Sequence, residues 1–511
     1  MNGRLAAYNI TAADTPTSVY RCRTDGYGMA TVSLVNRGLS TAQLTISIHA
    51  DSEDTEGDIL EYKTELLPKN VLERSAMTIP SGSYLTIESD VVGISAVVWG
   101  TEVGTLDAAL DDVSEAPIAW SQTFGLDNPN AYGTGTVDQM GDENIAIGNN
   151  YLIVGARLED DAGGNSSGKA YVFNTTSGTL SYTLDNPNSS GTTADDQFGF
   201  SVAISDNYFV VGAAKEDDAN GADQGAVYVF DASTGNLART IANPNSSYQN
   251  GDRFGMSMAM DGDTLLVGAP WTGNYDGRAY LFDASTGSTL HTLNNPNQFG
   301  EGGSDDQFGI DVDIQGGLCI VGAFHEDVVS DTRSGAAYIF NVGSGILAHT
   351  FVNPDADSNP GNDRFGNSVA IHGSYAAVGA PGADDAASDK GMVYIYNTST
   401  GALIHSLSSP DGEAIGHFHS LAMNAEYVYI SAYGATVGGY DSQGKVYVFR
   451  ISTGTLVHTI DNPDPDPAAV NNSTYFGYAI ASNGTRIAIA EPRRTIGSFD
   501  NAGKAYIYDL D

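Results

Sequence analysis

One pattern is written seven times down this chain, and the seventh copy stops before its last strand. Asp196-Gln197-Phe198-Gly199 opens a copy, followed by Ser201-Val202-Ala203-Ile204, Tyr208-Phe209-Val210-Val211-Gly212-Ala213, an acidic loop, Ala226-Val227-Tyr228-Val229-Phe230, and Leu237 to Ile241 with Asn243-Pro244-Asn245. The opening recurs at Met140-Gly141, Phe198-Gly199, Phe254-Gly255, Phe308-Gly309, Phe365-Gly366, Phe418-His419 and Phe476-Gly477, a period of about 53–58 residues that suits a four-stranded blade. The apolar runs are short, alternate with period two, are rich in Val, Ile, Tyr and Phe, and are punctuated by Gly, Asn and Asp. That is the grammar of strands and hairpins, and it excludes helical repeats.

The seventh copy ends at Ala505-Tyr506-Ile507-Tyr508-Asp509-Leu510-Asp511, without a fourth strand. The missing piece stands upstream. Trp120-Ser121-Gln122-Thr123-Phe124-Gly125-Leu126-Asp127-Asn128-Pro129-Asn130 reads like Leu180-Ser181-Tyr182-Thr183-Leu184-Asp185-Asn186-Pro187-Asn188 with a small insertion. The expected fold is therefore all-β, a seven-bladed β-propeller closed by a strand near residue 120. An open array would expose unpaired strand edges, and closure removes them.

These copies resemble the FG-GAP repeat family, the propeller blades also found in the heads of integrin alpha subunits. Phe-Gly, Val267-Gly268-Ala269-Pro270, Val378-Gly379-Ala380-Pro381, the acidic loop and Gly-x-x-Tyr-x-Phe carry the resemblance. It implies a seven-bladed propeller and little about chemistry, because one fold hosts many functions.

Residues 1–104 lack the repeat. Alternating runs at Ala30–Val35, Gln43–Ile48, Ser83–Ile87 and Ile94–Trp99, separated by turn signals, predict a small β-sandwich. Residues 105–117 are acidic and rich in small side chains, as in a linker, and 118–511 form the propeller. The first module resembles a small domain of virion proteins from marine tailed phages, through Ser18-Val19-Tyr20, Ala30–Gly38, Glu61–Arg74 and Gly93–Gly100. By that resemblance it would mount the propeller on a particle.

The chain has 63 Asp and Glu against 22 Lys and Arg, a formal charge of −41. Phosphate backbones are repelled by such a surface, so nucleic acid is not an expected partner, and the charge suits solubility in a salty medium. No apolar stretch approaches membrane-spanning length, and the N-terminus lacks the apolar core of a secretory signal. This points to synthesis in a host cytoplasm and release by lysis. Cys22 and Cys319 fall in different domains, so no structural disulfide is expected.

The loop after the second strand is acidic in several copies. Asp160, Asp161, Asp217, Asp218, Asp223, Asp327, Asp384 and Asp385 offer the hard oxygen donors that Ca²⁺ takes, and integrin-type propellers place calcium in this loop, although no copy here shows Asp-x-Asp-x-Asp-Gly. The competing reading is a solvated acidic hairpin tip. Asp138, Asp196, Asp252, Asp306 and Asp363, two residues before Phe-Gly, read as turn caps. His291, His349, His405 and His458 hold one equivalent place in successive copies, which spreads them around the rim and argues against a shared metal. His417 and His419 flank Phe418 and mark the sixth blade as irregular.

Trp271, Tyr275, His325, Tyr433 and Tyr440 lie in loops of one propeller face, where aromatic groups suit stacking on sugars or protein contacts. The functional expectation is a non-enzymatic virion structural protein of a tailed phage. It would be present in many copies, bound to other virion proteins through residues 1–104, with the propeller displayed for assembly and for contact with a host surface glycan or protein. Two alternatives stay open: a secreted or surface adhesin that binds glycans, and a polysaccharide-cleaving propeller in which a carboxylate pair hides among the many acids.

Overall fold

A computed structural model describes the backbone of eight strands between residues 2 and 103, and residues 120–510 apart from 131–137, 161–165, 188–194, 218–221, 246–250, 274, 297–304, 328–333, 355–362, 384–389, 416–420, 466–472 and 498. The chain divides into two compact units, Met1–Glu115 and Ala116–Asp511. In the first, Asn2–Ile10, Ile94–Val103, Tyr27–Asn36 and Val71–Ile79 form one antiparallel sheet, and Thr17–Arg21, Tyr84–Ser89, Ala42–His49 and Asp58–Leu66 form another. Numbered along the chain these orders are 1-8-3-6 and 2-7-4-5, the connectivity of an eight-stranded jelly roll.

The second unit is seven four-stranded antiparallel blades, each ordered as the chain runs from the inner strand outward. Blade 2, for example, comprises Phe198–Ile204, Tyr208–Ala213, Ala226–Asp231 and Leu237–Ala242. Blades 1 and 3 to 6 occupy 145–185, 257–294, 312–352, 368–408 and 421–461. Blade 7 is Ile480–Ser482, Arg486–Glu491 and Lys504–Leu510, completed by Trp120–Asp127. Neighbouring inner strands touch all the way round, blade 7 against blade 1 included.

The donated strand is laid down as its equivalents are. It pairs antiparallel with Lys504–Leu510, from Lys504 opposite Asp127 to Leu510 opposite Trp120, and slips by one residue between Ile507 and Tyr508. The same slip falls between Val172 and Phe173 in blade 1 and between Val229 and Phe230 in blade 2. Phe124 thus takes the place of Tyr182, and Leu126 that of Leu184. The small insertion expected from sequence is not there; the strand is two residues longer at its start, and Trp120 and Ser121 continue the ladder.

Apolar side chains pack between blades rather than in one central core. Leu126 joins Leu152, Val154 and Tyr171 of blade 1, while Trp120 is buried on the other side against blade 6. The Trp120 ring meets Tyr427 and Tyr429 edge-on at 6.3 and 5.3 Å. The closing strand therefore fills both blade junctions.

The Phe-Gly motif sets the spacing between blades. Phe198 is fully buried beside Tyr228 and Phe230, at 5.7 and 6.1 Å, and its amide donates to Ser167 O of the preceding blade at 3.0 Å. Gly199 has φ +90°, and a Cβ there would lie 2.2 Å from Lys169 O, in backbone that cannot yield. Gly199→Ala is expected to destabilise the propeller by about 3 kcal/mol or more, read as a lowered urea midpoint; an unchanged midpoint would contradict this close approach.

Three of the four rim histidines, His291, His349 and His405, take a structural place, His291 standing over Gly345 of blade 4. His349 and His405 sit where a Cβ on Gly401 and Gly454 of the next blade would strike them, and Phe124 and Tyr182 stand likewise over Gly178 and Gly235. They mark blade-to-blade contacts one per junction, as their equivalent positions in sequence require. His417 and His419 lie outside the described residues, as does Cys22; Cys319 is a buried free thiol.

Candidate functional site

In a ring of this connectivity, the loops after each second strand and those entering each inner strand share one face. Two constellations occupy it. The deeper one is a polar clamp at the blade junctions. Asn295, leaving blade 3, donates from Nδ2 to Asp306 Oδ2 and to Glu326 Oε2 of blade 4, both at 2.9 Å. Asn186 donates to Asp196 at 3.0 Å, Asn243 and Asn245 to Asp252 at 2.9 and 2.7 Å, and Asn353 to Asp363. The Asp before Phe-Gly is thus more than a local turn cap: it ties the exit of one blade to the entry of the next.

A buried tyrosine of the third strand stands by this clamp. Tyr171 donates to Glu159 at 2.7 Å, and Tyr506 to Glu491 at 2.6 Å. Glu491 stands in the sequence place of Ala156, as the register with Lys504 and Lys169 shows, yet fills the polar slot that Glu159 fills in blade 1. Asn462 reaches it at 2.7 Å. Tyr447 of blade 6 instead donates to Asp411, which follows the last strand of blade 5.

Burial makes these carboxylates reluctant to ionise. Asp138 is pushed up to about 7 by burial and by Glu159 and Asp160. Glu216 rises to about 8 through burial and Asp196, and Asp306 to about 8 through burial and Glu326. Glu159, Glu326 and Glu491 are raised too, chiefly by burial. The carboxylates of these clamps, Asp306 and Glu326 among them, lie buried inside the junctions.

The calcium candidates are held otherwise. Asp160 Oδ1 accepts the Ser166 amide at 2.8 Å, and Asp217 Oδ1 the Asp223 amide at 2.9 Å, closing the acidic loops on themselves. Asp223 also faces Arg253 at 3.4 Å. Asp161, Asp218, Asp384 and Asp385 lie outside the described residues. Asp327 is described, but no group of three or more His, Cys, Asp or Glu poised to hold a metal occurs among the described residues. The described candidates Asp160, Asp217, Asp223 and Asp327 are thus not gathered into a metal-holding group.

The shallower constellation is aromatic. Trp271 packs on Tyr275 at 5.5 Å with the Arg253 guanidinium 4.5 Å over its ring. His325 lies against Phe324 at 3.9 Å, 3.5 Å from Asp305. Tyr433 sits within 5.4 Å of Tyr475 and 5.0 Å of Tyr478, and Tyr440 is exposed in the Val437–Tyr440 turn. The five residues named from sequence share a face but stand on blades 3, 4 and 6, so they do not form one cluster.

Sequence reasoning missed Tyr475, Tyr478, Arg493 and Arg157, which gather across blades 7 and 1. Arg493 lies 4.2 Å over the Tyr475 ring, and Arg157 reaches Asp142 at 2.5 Å and Glu143 at 3.0 Å. One signal was present: Tyr475-Phe476-Gly477-Tyr478 sets tyrosine on both sides of the motif, where blade 2 has Gln197 and Phe200.

Residues 138–173, 189–230, 246–282, 300–340 and 355–396 match the family model described as FG-GAP repeat. The propeller carries FG-GAP repeats. The five matched FG-GAP segments fall in blades 1 to 5 and stop at each third strand; blade 6 has His419 for the glycine, and blade 7 is split across the chain. No curated protein matches the chain. Among solved structures it is similar to the crystal structure of Chaetomium thermophilum Raptor, at 10% identity and a TM-score of 0.47, over 77% of this chain and 29% of that one. The chain therefore spans under a third of that structure, and a likeness this loose bears on neither activity nor partner.

Proposed function

We propose that the chain is a displayed structural component of a virus particle, a virion protein of the tailed-phage kind. The first unit docks it to other virion proteins, and the FG-GAP propeller presents its loop face to a host surface. The observation that carries this reading is the strand order of residues 2–103, since jelly rolls of this connectivity build viral capsid and lectin domains. The propeller suits display: apolar side chains fill the blade junctions and the polar clamps tie together those described above, so its loops are carried on a rigid frame. Many copies on one particle would let weak contacts add.

The adhesin alternative shares the aromatic face and differs in location. The enzyme alternative would require the carboxylate pairs to reach a substrate, whereas Asp306 and Glu326 are 3% and 0% exposed. Quantitative mass spectrometry of purified particles tests the proposal: the chain is expected at a fixed ratio to the major capsid protein. Its absence from particles, with recovery on cell surfaces, would favour the adhesin. Release of reducing ends from host glycans by the purified chain would favour the enzyme.

A further inference from the structure

The arc that runs from blade 6 through blade 7 to blade 1 combines two chemistries. Tyr433 follows the second strand of blade 6, Tyr475 and Tyr478 bracket the Phe-Gly entry to blade 7, and their three ring centroids lie 5.0 to 6.1 Å apart. All three rings are half-buried, which fixes them while leaving part of each in solvent. Arg493 covers Tyr475, and beside the rings Arg157 holds Asp142 and Glu143. Burial and the nearby Glu143 and Asp142 suppress ionisation of the Tyr478 hydroxyl, so it stays a neutral donor.

We propose that this arc, Tyr433, Tyr475, Tyr478 and Arg493 bordered by Arg157 and the Asp142–Glu143 pair, is a binding site for a neutral, hexose-based glycan. A pyranose ring has an apolar C–H face that stacks on tyrosine and a rim of hydroxyls that donate to carboxylates and accept from guanidinium groups. The arc offers both kinds of partner side by side. Tyrosine supplies that contact area with only two rotatable bonds to order. Charge decides against an anionic glycan: the arc carries two arginines and two carboxylates, on a chain with 63 acidic and 22 basic residues, so a polyanion is repelled by the surroundings without a compensating cationic surplus.

The inference rests on the display reading, and the test separates the two. Full-length protein is titrated calorimetrically with hexamers of neutral glucose, mannose and galactose, and with hexuronate hexamers. At least one neutral series is expected to bind, with Tyr475→Ala and Arg493→Ala each weakening it tenfold or more. Ile346→Ala, in the exposed turn between the third and fourth strands of blade 4 on the opposite face, should leave binding unchanged, and thermal unfolding shows that each variant is folded. Tyr433→Phe, which keeps the ring, is expected to retain most of the affinity. Binding of hexuronates alone, no binding of any neutral hexamer, or tyrosine and arginine variants that bind as well as the parent would each overturn the assignment. A chain found in particles that fails this titration would leave the display reading standing.

Discussion

A chain that begins after Asn130 is expected to lose the cooperative unfolding of the propeller altogether, whereas one that begins at residue 118 should unfold as the intact unit does. The donated strand buries Leu126 and Trp120, side chains worth roughly 1.5–3 kcal/mol each. The edge contacts of Trp120 with Tyr427 and Tyr429 add about 0.5–1.5 kcal/mol apiece. The ladder to Lys504–Leu510 contributes a net of about 1 kcal/mol per bond. The sum is on the order of 10 kcal/mol, comparable with the whole stability of a typical domain, about 5–15 kcal/mol. Its loss also uncovers the edge of Lys504–Leu510 and one side of each neighbouring junction. Circular dichroism melts of the two chains check this, and equal transitions would contradict it.

This closure was legible because the repeat is. Seven copies in phase make a missing strand conspicuous, and Leu126-Asp127-Asn128-Pro129-Asn130 repeats the Asn-Pro exit of blades 1 to 4 and 6. The register was not legible, because a bulge between the third and fourth strands hides one residue per blade from simple alternation. In residues 2–103 four alternating runs stood out, while Asn2–Ile10, Thr17–Arg21, Asp58–Leu66 and Val71–Ile79, with charged or small side chains breaking the alternation, did not. The jelly-roll order is a pairing of distant strands and could not be read locally. The site was half legible for a similar reason. Acidic loops draw attention to calcium, but whether an aspartate faces a metal or its own backbone amide is decided by loop closure, as at Asp160 and Asp217. The aromatic arc joins residues more than 300 positions apart, brought together only when the ring closes.

The second large effect is a loss of stability as pH rises. Asp138 and Asp313 have folded values near 7, and Glu216 and Asp306 near 8, all raised first by burial. The groups facing them are acidic: Glu159 and Asp160 at Asp138, Asp196 and Asp217 at Glu216, Glu326, Asp276, Asp327 and Asp305 at Asp306, and Asp311 and Asp261 at Asp313. Since the folded values lie above the unfolded ones, the folded chain keeps protons that the unfolded chain has released. Their contribution is complete below about pH 4 and is lost as pH climbs through 7 to 8, at up to about 1.4 kcal/mol per pH unit for each group.

Across four groups the loss between pH 5.5 and 8.5 is on the order of several kcal/mol. The unfolding temperature should fall by roughly 5–10 °C, at about 1–2 °C per kcal/mol for a unit this large. Measurement in 0.5 M NaCl removes most of the general self-repulsion of an acidic chain. Under those conditions Glu216→Gln with Asp306→Asn should flatten the profile markedly, because both amides fill the junction without ionising. A profile that rises with pH, or one that the double variant leaves unchanged, would contradict the assignment of these clamps.

The most direct test of the ring is a covalent one. Ser121 lies opposite Asp509 in the closing ladder, and directly opposed residues there place Cβ atoms about 4.5–5.5 Å apart, close enough for a disulfide after slight adjustment. Ser121→Cys with Asp509→Cys, oxidised mildly in the folded full-length protein, is expected to give one bond joining these positions. Peptide mapping would identify it, and a mobility shift on a non-reducing gel would mark the large closed loop. Failure of these two thiols to join, while each alone reacts freely with a thiol reagent, would mean that Trp120–Asp127 does not complete the seventh blade.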